Sequence, residues 1–383
     1  MAGKHYGIVV ALLLSCLITL TFNVLKAEEG GTIYIRVDGS VYPPGAPIVC
    51  FDNATYVFIS DASDSIVVEK NNVLIDGAGY TLQGGGKWAG VNLTGRSNIT
   101  VMNLEITDFY YGIYLYGSTH INLFNNSVSS NKWDGIYLLN SIDNFIFANN
   151  ISSNRRYGIM LSESSNNRIF HNNFINNTKQ AYTYDSFNNF WDDGYPSGGN
   201  YWSDYNGTDL FSGPYQNGSS DGVGDSPYVI DVDNRDNYPL IGPYSTFKAE
   251  HWDGVTYNFN VVTNSTILNF ELFESLIPEI PSTISLNLSG PDNTTGFCRL
   301  TIPNIIVQDL WQDNYTVLLN GEPCPFRNWT DTQNTYIYIN YTHSTHEITI
   351  IPEFPSTLTL AFFATTFLTA TSLWKSKRKH QSP

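Results

Sequence analysis

The chain has 383 residues, of which 35 are acidic and 19 are basic, and its formal net charge is −16. This acidic balance argues against a nucleic-acid-binding protein, because the phosphates of a nucleic acid would be repelled. Aromatic residues make up 14% of the chain, which is too many for a disordered polymer, and the length is typical of two or three domains.

The amino terminus has the pattern of a secretory signal peptide. Lys4 and His5 precede an apolar run from Ile8 to Phe22, and Ala27 offers a cleavage position. We therefore predict that residues 1–27 are a signal peptide; the alternative is an uncleaved membrane anchor. Residues 28–63 are then predicted to form lead-in strands that cap the next domain.

The segment 64–189 repeats itself. Four small residues are spaced 23 positions apart: Gly112, Gly135, Gly158 and Ala181. The residues that follow them alternate between apolar and polar, which is typical of strands, and frequent Gly and Asn exclude helical repeats. A fixed period in the low twenties indicates stacked units. We predict an all-β fold in which a right-handed parallel β-helix has one coil per 22–23 residues.

Polar residues recur at matching coil positions. One series is Asn103, Asn126, Asn149 and Asn172, and another is Asp108, Asn131, Asn154 and Asn177. Stacked Asn side chains are expected to form ladders in which each amide donates to one neighbour and accepts from the other. Asn also tolerates the left-handed backbone of tight corners. The recurring glycines suit either a positive φ or close packing.

Two further regions follow the repeats. Residues 190–246 are rich in Gly, Asp and aromatic residues and are predicted to cap the β-helix. From 247 to 351, short alternating segments such as STISLNLSG and TYIYINYT are separated by turn signals, which predicts an immunoglobulin-like β-sandwich. Cys298 and Cys324 are predicted to form a disulfide there, and Cys50 is left over.

The carboxyl-terminal segment 352–383 has the pattern of a membrane anchor. About 19 mostly apolar positions, from Ser356 to Trp374, are enough for a transmembrane helix, and a basic tail follows them. We therefore predict a cell-surface protein anchored through its carboxyl terminus. N-glycosylation sequons support this location; they occur at Asn53, Asn92, Asn98, Asn125, Asn150, Asn176, Asn206, Asn217, Asn264, Asn287, Asn293, Asn314, Asn328 and Asn340.

Residues 64–205 resemble the parallel β-helix repeats of NosD-like surface and periplasmic proteins. The segments NNFWDDGYPSGGNYWSDYNGTD and DGVGDSPYVID resemble the ending of this domain in archaeal cell-surface proteins. PEFPS, followed by an apolar run and basic residues, resembles a PEF-type carboxyl-terminal sorting signal. The resemblance implies an envelope protein whose tail is processed by an archaeosortase. It also implies a domain type that serves carbohydrate-binding proteins and sugar hydrolases.

The outer face of the coils carries aromatic and basic side chains. The candidate carbohydrate-binding residues are Tyr110, Tyr114, Lys132, Trp133, Tyr137, Arg155 and Arg156. Aromatic rings stack on the C–H faces of sugars, and Arg and Lys pair with uronate or sulfate groups. The alternative interpretation is a solvated flank on which stacked tyrosines only shield the sheet.

Metal sites and catalysis are weaker interpretations. Asp221, Asp225, Asp231 and Asp233 are candidate calcium ligands, because calcium takes six to eight oxygen ligands, although the same residues suit polar turns. Copper prefers His, Met or Cys, and those of the repeats occupy unrelated coil positions.

No pair of carboxylates recurs on one face as glycoside hydrolysis requires. We predict a non-enzymatic envelope glycoprotein whose partners are polysaccharide or other envelope proteins, together with the membrane. The alternatives are a polysaccharide lyase or glycoside hydrolase of the β-helix class, and a NosD-like copper-handling protein.

Overall fold

The structure is a computed structural model that describes residues 31–213, 218–275, 277 and 280–353. The predicted signal peptide, the predicted tail anchor and the sequon at Asn217 lie outside the described residues. In the part of the chain that is described, no helix has the length and apolar character needed to cross a membrane. The chain divides into two compact units. The first runs to residue 168 and includes 175–189, and the second comprises 169–174 and the chain from 190 onwards.

Short strands follow one another along the predicted amino-terminal cap and the repeated segment. In chain order they are β1 (Ile33–Ile35), β2 (Val41–Tyr42), β3 (Ile48–Cys50), β4 (Thr55–Phe58), β5 (Ile66–Val68), β6 (Val73–Asp76), β7 (Thr81–Gln83), β8 (Ala89–Asn92), β9 (Ser97–Met102), β10 (Glu105–Thr107), β11 (Tyr111–Tyr116), β12 (Thr119–Phe124), β13 (Ser127–Ser129), β14 (Ile136–Leu139), β15 (Phe145–Phe147), β16 (Asn150–Ser152), β17 (Tyr157–Ser162), β18 (Arg168–Phe170), β19 (Asn173–Ile175) and β20 (Lys179–Tyr184).

Within the first unit these strands build three sheets. The first sheet has the order β2-β1-β5-β8-β11-β14-β17-β20, the second includes β15-β12-β9-β6-β4-β3, and the third includes β16-β13-β10-β7. Successive coils pair in parallel, with Ile113 beside Ile136 and Leu115 beside Leu138. Inward-facing Ile, Leu and Val side chains fill the core. The predicted parallel β-helix is therefore confirmed.

The segment predicted as amino-terminal cap already contributes to the parallel sheets. Strand β1 pairs in parallel with β5, and β4 pairs in parallel with β6. The antiparallel strands β2 and β3 cover the outer edges of β1 and β4. Covering these edges satisfies backbone groups that would otherwise recruit another chain.

The predicted asparagine ladders are present. Asn131 Nδ2 donates to Asn154 Oδ1 at 2.9 Å, and Asn154 Nδ2 donates to Asn177 Oδ1 at 2.9 Å. Asn126 Nδ2 donates to Asn149 Oδ1 at 3.0 Å. A further ladder, which the sequence analysis missed, joins three buried side chains: Asn144, Asn167 and Asn189. Each ladder satisfies amide groups that are costly to bury alone.

The left-handed corners and the ladders use different residues. The left-handed conformation occurs at the residue just before a ladder asparagine: Asn125 with φ 53°, Ser130 with φ 56°, Ala148 with φ 55° and Ser153 with φ 56°. The ladder asparagines are therefore free to bond along the stack, while their neighbours turn the chain.

The start of two predicted columns is shifted by one residue. Asn103 and Asp108 occupy left-handed positions, with φ 53° and φ 60°, instead of ladder positions. Leu104 and Phe109 take the ladder positions, and their N–H groups donate to Asn126 and Asn131, respectively. The predicted places of Asn103 and Asp108 in the ladders are therefore wrong.

The last coil of the first sheet is one residue shorter than the repeat predicts. Ala181 pairs with Ile159, so its predicted alignment with Gly158 is wrong. Gln180 takes the position beside Gly158, and its Oε1 accepts a 2.9 Å hydrogen bond from Asn177 Nδ2. The shorter coil thus supplies an acceptor for the last amide of this ladder.

Close packing explains the recurring glycines. Neither Gly112 nor Gly135 has a positive φ. A Cβ atom on Gly135 would lie 2.6 Å from the carbonyl oxygen of Gly158 and 2.7 Å from Asn154 Nδ2. The sequence left open whether these glycines serve a positive φ or close packing. The structure shows that they allow neighbouring coils to approach closely.

The second unit contains the predicted end cap and sandwich. Its remaining elements are β21 (Tyr201–Trp202), β22 (Tyr228–Val229), β23 (Arg235–Asp236), β24 (Tyr244–Glu250), β25 (Thr256–Thr263), β26 (Thr266–Phe273), β27 (Thr283–Ser289), β28 (Thr295–Pro303), α1 (Asn304–Trp311), β29 (Tyr315–Leu319), β30 (Glu322–Pro323), β31 (Arg327–Thr330), β32 (Asn334–Thr342) and β33 (Thr345–Pro352).

Between residues 190 and 246, the buried carboxylate of Asp236 accepts hydrogen bonds from the surrounding chain. Asn172 Nδ2 donates to Asn200 Oδ1 at 3.0 Å, and the N–H of Asn200 donates to Asp236 Oδ2 at 2.7 Å. The indole N–H of Trp202 donates to the same carboxylate oxygen at 2.9 Å. Since the carboxylate oxygen of Asp236 accepts both of these hydrogen bonds, this series of amides ends at Asp236.

The sandwich consists of two antiparallel sheets, ordered β24-β25-β28-β32-β31 and β26-β27-β33-β29-β30. Its core includes Phe259, Leu286, Leu300 and Trp311. Helix α1 lies between β28 and β29 and was not expected from the sequence. The two-sheet arrangement agrees with the predicted sandwich, and its immunoglobulin-like type stays a prediction.

The predicted disulfide is not formed in the structure. Cys50, Cys298 and Cys324 are unpaired thiols. Cys298 is buried on β28 of one sheet, whereas Cys324 follows β30, the edge strand of the other sheet. Burial raises the pKa of the Cys298 thiol to about 12, so this group stays a neutral part of the core.

Candidate functional site

The outer side of the first sheet carries a column of large side chains. Tyr114 pairs with Tyr137, Tyr137 with Met160, and Met160 with Tyr182 on successive strands. Neighbouring strands lie about 4.8 Å apart, so side chains on the same face of the sheet touch. This is the outward stripe that the alternation predicts, extended by one coil.

Aromatic rings from the same coil and from both adjacent coils cover the start of this column. The ring centre of Trp88 lies 4.5 Å from that of Tyr114, and Tyr111 lies 5.6 Å from Tyr114. Tyr137 follows at 5.5 Å from Tyr114. As a result Tyr114 is only 9% exposed, whereas Trp88 is 50% exposed. The accessible ring at this end is therefore Trp88.

A cation lies among the rings of the next coils. Tyr110 stacks on Trp133 with ring centres 5.3 Å apart. The guanidinium carbon of Arg156 lies 4.7 Å from the Trp133 ring centre and 4.3 Å from that of Tyr157. Tyr157 in turn stacks on Tyr182 at 4.8 Å. Such contacts hold both ring and cation in place.

We call this surface the aromatic face. It comprises Trp88, Tyr110, Tyr111, Tyr114, Trp133, Tyr137, Arg156, Tyr157 and Tyr182. At one end Lys179 adds a second cation, whose Nζ lies 4.8 Å from the Tyr182 ring.

A buried carboxylate lies beneath the aromatic face. Asp134 has no exposed surface, and its Oδ1 lies 3.4 Å from Arg156 Nε. The same oxygen accepts a 3.2 Å hydrogen bond from the N–H of Tyr157, while Oδ2 is buried with no hydrogen-bond partner. Burial raises the pKa of Asp134 to about 7, and the Arg156 charge and the Tyr157 hydrogen bond oppose this effect only in part.

The structure brings together five of the seven predicted carbohydrate-binding residues: Tyr110, Tyr114, Trp133, Tyr137 and Arg156. The other two, Lys132 and Arg155, are exposed beside them in the chain, and Lys132 Nζ lies 3.5 Å from Asp108 Oδ1.

Sequence reasoning missed Trp88. The sequence does contain a signal, because Trp88 precedes Tyr110 by 22 residues, the length of one coil. In the structure Ala89 and Val91 pair with Tyr111 and Ile113, which aligns the Trp88 position with Tyr110. The predicted place of Tyr182 beside Ile159 was wrong, since the shorter last coil turns Tyr182 outward.

Three of the four candidate calcium ligands, Asp221, Asp225 and Asp231, accept hydrogen bonds from backbone N–H groups, and Asp225 accepts them from Leu210 and Phe211. Asp221 Oδ1 accepts from the N–H of Val223 at 2.9 Å, and Asp231 Oδ1 accepts from the N–H of Asp233 at 2.8 Å. Asp221 and Asp225 line a cavity of about 270 Å³. Among the residues that the structure describes, no three or more His, Cys, Asp or Glu side chains are grouped to hold a metal ion. Calcium and copper binding stay predictions.

The described sequons are accessible. Asn92 and Asn287 are half-buried, and the rest have exposed asparagines: Asn53, Asn98, Asn125, Asn150, Asn176, Asn206, Asn264, Asn293, Asn314, Asn328 and Asn340. This exposure is compatible with the predicted glycosylation.

Comparison with known families agrees with the repeat. The sequence profile of the family described as periplasmic copper-binding protein (NosD) matches residues 49–207. The chain contains a NosD-like parallel β-helix. The periplasmic description of the NosD family is consistent with the export predicted from the amino terminus. The archaeal origin and the PEF-type sorting signal stay predictions, and no curated protein matches the chain.

Solved structures show only distant likeness to this NosD-like protein. A point mutant of the periplasmic alginate epimerase AlgG is 19% identical with a TM-score of 0.28, covering 34% of this chain and 31% of its own. The enzymatically active domain of tailspike protein 2 of bacteriophage CBA120 is 10% identical with a TM-score of 0.29, covering 77% and 52%. The NosD-like chain therefore spans about a third of the epimerase and about half of the tailspike domain. These values are too low to carry an argument about activity.

Proposed function

We propose that this NosD-like protein binds polysaccharide on the aromatic face and does not cleave it. The observation that supports the proposal is the contact of Arg156 with Trp133 and Tyr157, which joins rings and a cation into one surface. The exposed ring surface that remains, such as that of Trp88, is unfavourable in water and would be covered by a bound ligand.

The chemistry of the aromatic face suits a sugar chain. Rings offer flat apolar surface for sugar C–H groups, and a guanidinium pairs with carboxylate or sulfate through a planar fork of donors. The columns repeat at the coil spacing, so the face offers a similar surface several times in a row. A polymer with a repeating structure is therefore a better match than a single sugar.

The carboxylate beneath the aromatic face is poorly placed for catalysis. Asp134 has no exposed surface, so a bound sugar cannot reach it without rearrangement of the coil. General acid or base catalysis requires hydrogen-bond contact with the reacting group. This burial supports a binding role over a catalytic one. We propose that the role is in the cell envelope, where polysaccharide or other envelope proteins are the partners.

Binding to a panel of immobilised polysaccharides tests the proposal, with Trp133→Ala as the informative variant. Loss of stacking and of the contact with Arg156 is expected to weaken binding about tenfold. The matched control is Phe147→Ala, since Phe147 stacks on Phe124 at 4.4 Å on the outer side of the second sheet. Equal effects of the two substitutions, or no binding by the wild-type protein, would overturn the proposal.

Cleavage is tested separately. The protein is incubated with polyuronates, with and without calcium, and new reducing ends or unsaturated products are measured. We expect none. Turnover that increases with protein concentration would show that the face belongs to a lyase or hydrolase.

A further inference from the structure

We propose that Asp134 makes the aromatic face selective for acidic polysaccharide in a pH-dependent way. Binding is strong when Asp134 is protonated and weak when it is ionised. The device depends on the proposed polysaccharide binding and adds the substrate class and its regulation.

The position of Asp134 follows from the repeat. It precedes β14 and lies between Tyr111 of the preceding coil and Tyr157 of the next. The N–H of Gly112 donates to the Asp134 carbonyl at 3.1 Å, and the N–H of Tyr157 donates to its Oδ1 at 3.2 Å. A carboxylate thus replaces a tyrosine in this column, and the rings around it shield it from water.

Few charged groups face this carboxylate. From β11 it meets Tyr111, from β14 Tyr137, and from the next coil Arg156, as electrostatic interactions with all three show. Burial raises the pKa of Tyr111 to about 12 and raises that of Tyr137, so both rings are neutral near pH 7. The charge balance at this point of the face therefore depends on Asp134 and Arg156.

Burial prevails over the attraction of Arg156. The pKa of Asp134 is raised to about 7, and its Oδ2 has no hydrogen-bond donor to stabilise the ionised form. Above this pH the carboxylate and the guanidinium neutralise one another. Below this pH, the positive charge of the Arg156 guanidinium, which lies against the rings of Trp133 and Tyr157, is no longer neutralised.

The affinity for an acidic ligand depends on this difference in charge. A uronate or sulfate near Arg156 competes with ionised Asp134 for the same guanidinium but pairs freely with it when Asp134 is protonated. By linkage, binding of the anion must also favour protonation of Asp134, so the complex takes up protons near neutral pH. A neutral polymer has no charge to respond to this change.

The test is calorimetric titration of the purified protein with polygalacturonate at pH 5.5 and pH 8.0. Carboxylates ordinarily titrate near pH 4, so the ligand stays ionised at both values. One additional unit charge a few ångströms away is expected to strengthen binding about five- to tenfold at pH 5.5. Asp134→Asn is expected to bind at both pH values as tightly as the wild-type protein does at pH 5.5.

A matched control and a second readout keep the test decisive. Asp108→Asn removes a carboxylate that lies 3.5 Å from Lys132 on the same side of the coil and is expected to keep the pH dependence. Titrations of the wild-type protein at pH 7 in two buffers of different ionisation enthalpy measure proton uptake without any variant.

The outcomes separate the two proposals. Binding of equal strength at both pH values, no proton uptake, or an unchanged pH dependence in Asp134→Asn would overturn the role of Asp134 alone. Failure to bind polygalacturonate at either pH overturns this selectivity, whereas failure to bind any polysaccharide overturns the proposed function as well.

Discussion

The guanidinium of Arg156 lies 4.7 Å from the centre of the Trp133 ring. The two residues occupy equivalent positions in successive coils, and the N–H of Arg156 donates to the carbonyl of Trp133 at 2.8 Å. The backbone hydrogen bond holds the two residues at the coil spacing, and the contacts of the guanidinium with Tyr157 and Asp134 hold it beside the ring. The contact follows from the stacking of the repeat and needs no long loop to hold it.

The asparagine ladder makes a first prediction. Asn154→Leu removes acceptors and donors for Asn131, Asn177 and the Val128 carbonyl, which are all buried. Leaving several buried polar groups without partners is expected to lower the free energy of unfolding by about 3–5 kcal/mol. Chemical denaturation measures this loss. Asn122→Leu, at an exposed position of β12, is the control and should change stability by less than about 1 kcal/mol.

The close approach of coils makes a second prediction. Gly135→Ala places a methyl group 2.6 Å from the Gly158 carbonyl oxygen and is expected to cost more than about 2 kcal/mol. At Gly117, which has φ 60° and open space around it, the same substitution meets only the left-handed penalty of about 1 kcal/mol. Thermal unfolding of both variants distinguishes packing from backbone conformation. A larger effect at Gly117 would contradict the packing explanation.

The buried carboxylate makes a third prediction. Because folding raises the pKa of Asp134 from 3.8 to about 7, the folded state binds this proton more tightly than the unfolded state. The resulting stabilisation is complete below about pH 4 and is lost as the pH rises to about 7. Asp134→Asn removes the ionisation, so its stability relative to the wild-type protein should rise by about 3–4 kcal/mol between pH 4 and pH 8, since one pKa unit corresponds to about 1.4 kcal/mol. Urea unfolding at several pH values measures it, and a flat difference would contradict the burial of this charge.

The cysteines make a fourth prediction. Cys298 is 1% exposed and Cys324 half-buried, and both are unpaired. In the folded protein we expect a maleimide reagent to modify Cys324 faster than Cys298, and both to react fully after denaturation without a reductant. The opposite outcome is an intact mass two hydrogens below that of the fully reduced chain, with no labelling of Cys298 or Cys324 before reduction. That result would show that the predicted disulfide forms.

The fold and part of the face follow from the sequence for a simple reason. A constant spacing of Gly112, Gly135 and Gly158 requires identical environments, and only stacked coils provide them at this period. Trp133 and Arg156 are both predicted binding residues, and the contact between them follows from the same spacing. The errors arise where the spacing changes by one residue, at Asn103, Asp108 and Ala181, because one residue moves a side chain to another column or face.

The amino-acid sequence by itself determined that coils stack, which residues share a column, and that rings and cations gather on one outer face. These are properties of spacing along the chain. Only the tertiary structure decided that Trp88 covers Tyr114, that Asp134 is buried beneath Arg156, and that the two sandwich cysteines lie on different sheets. Exposure and charge depend on which atoms the neighbouring coils and sheets place around a group, and no pattern within one coil contains that information.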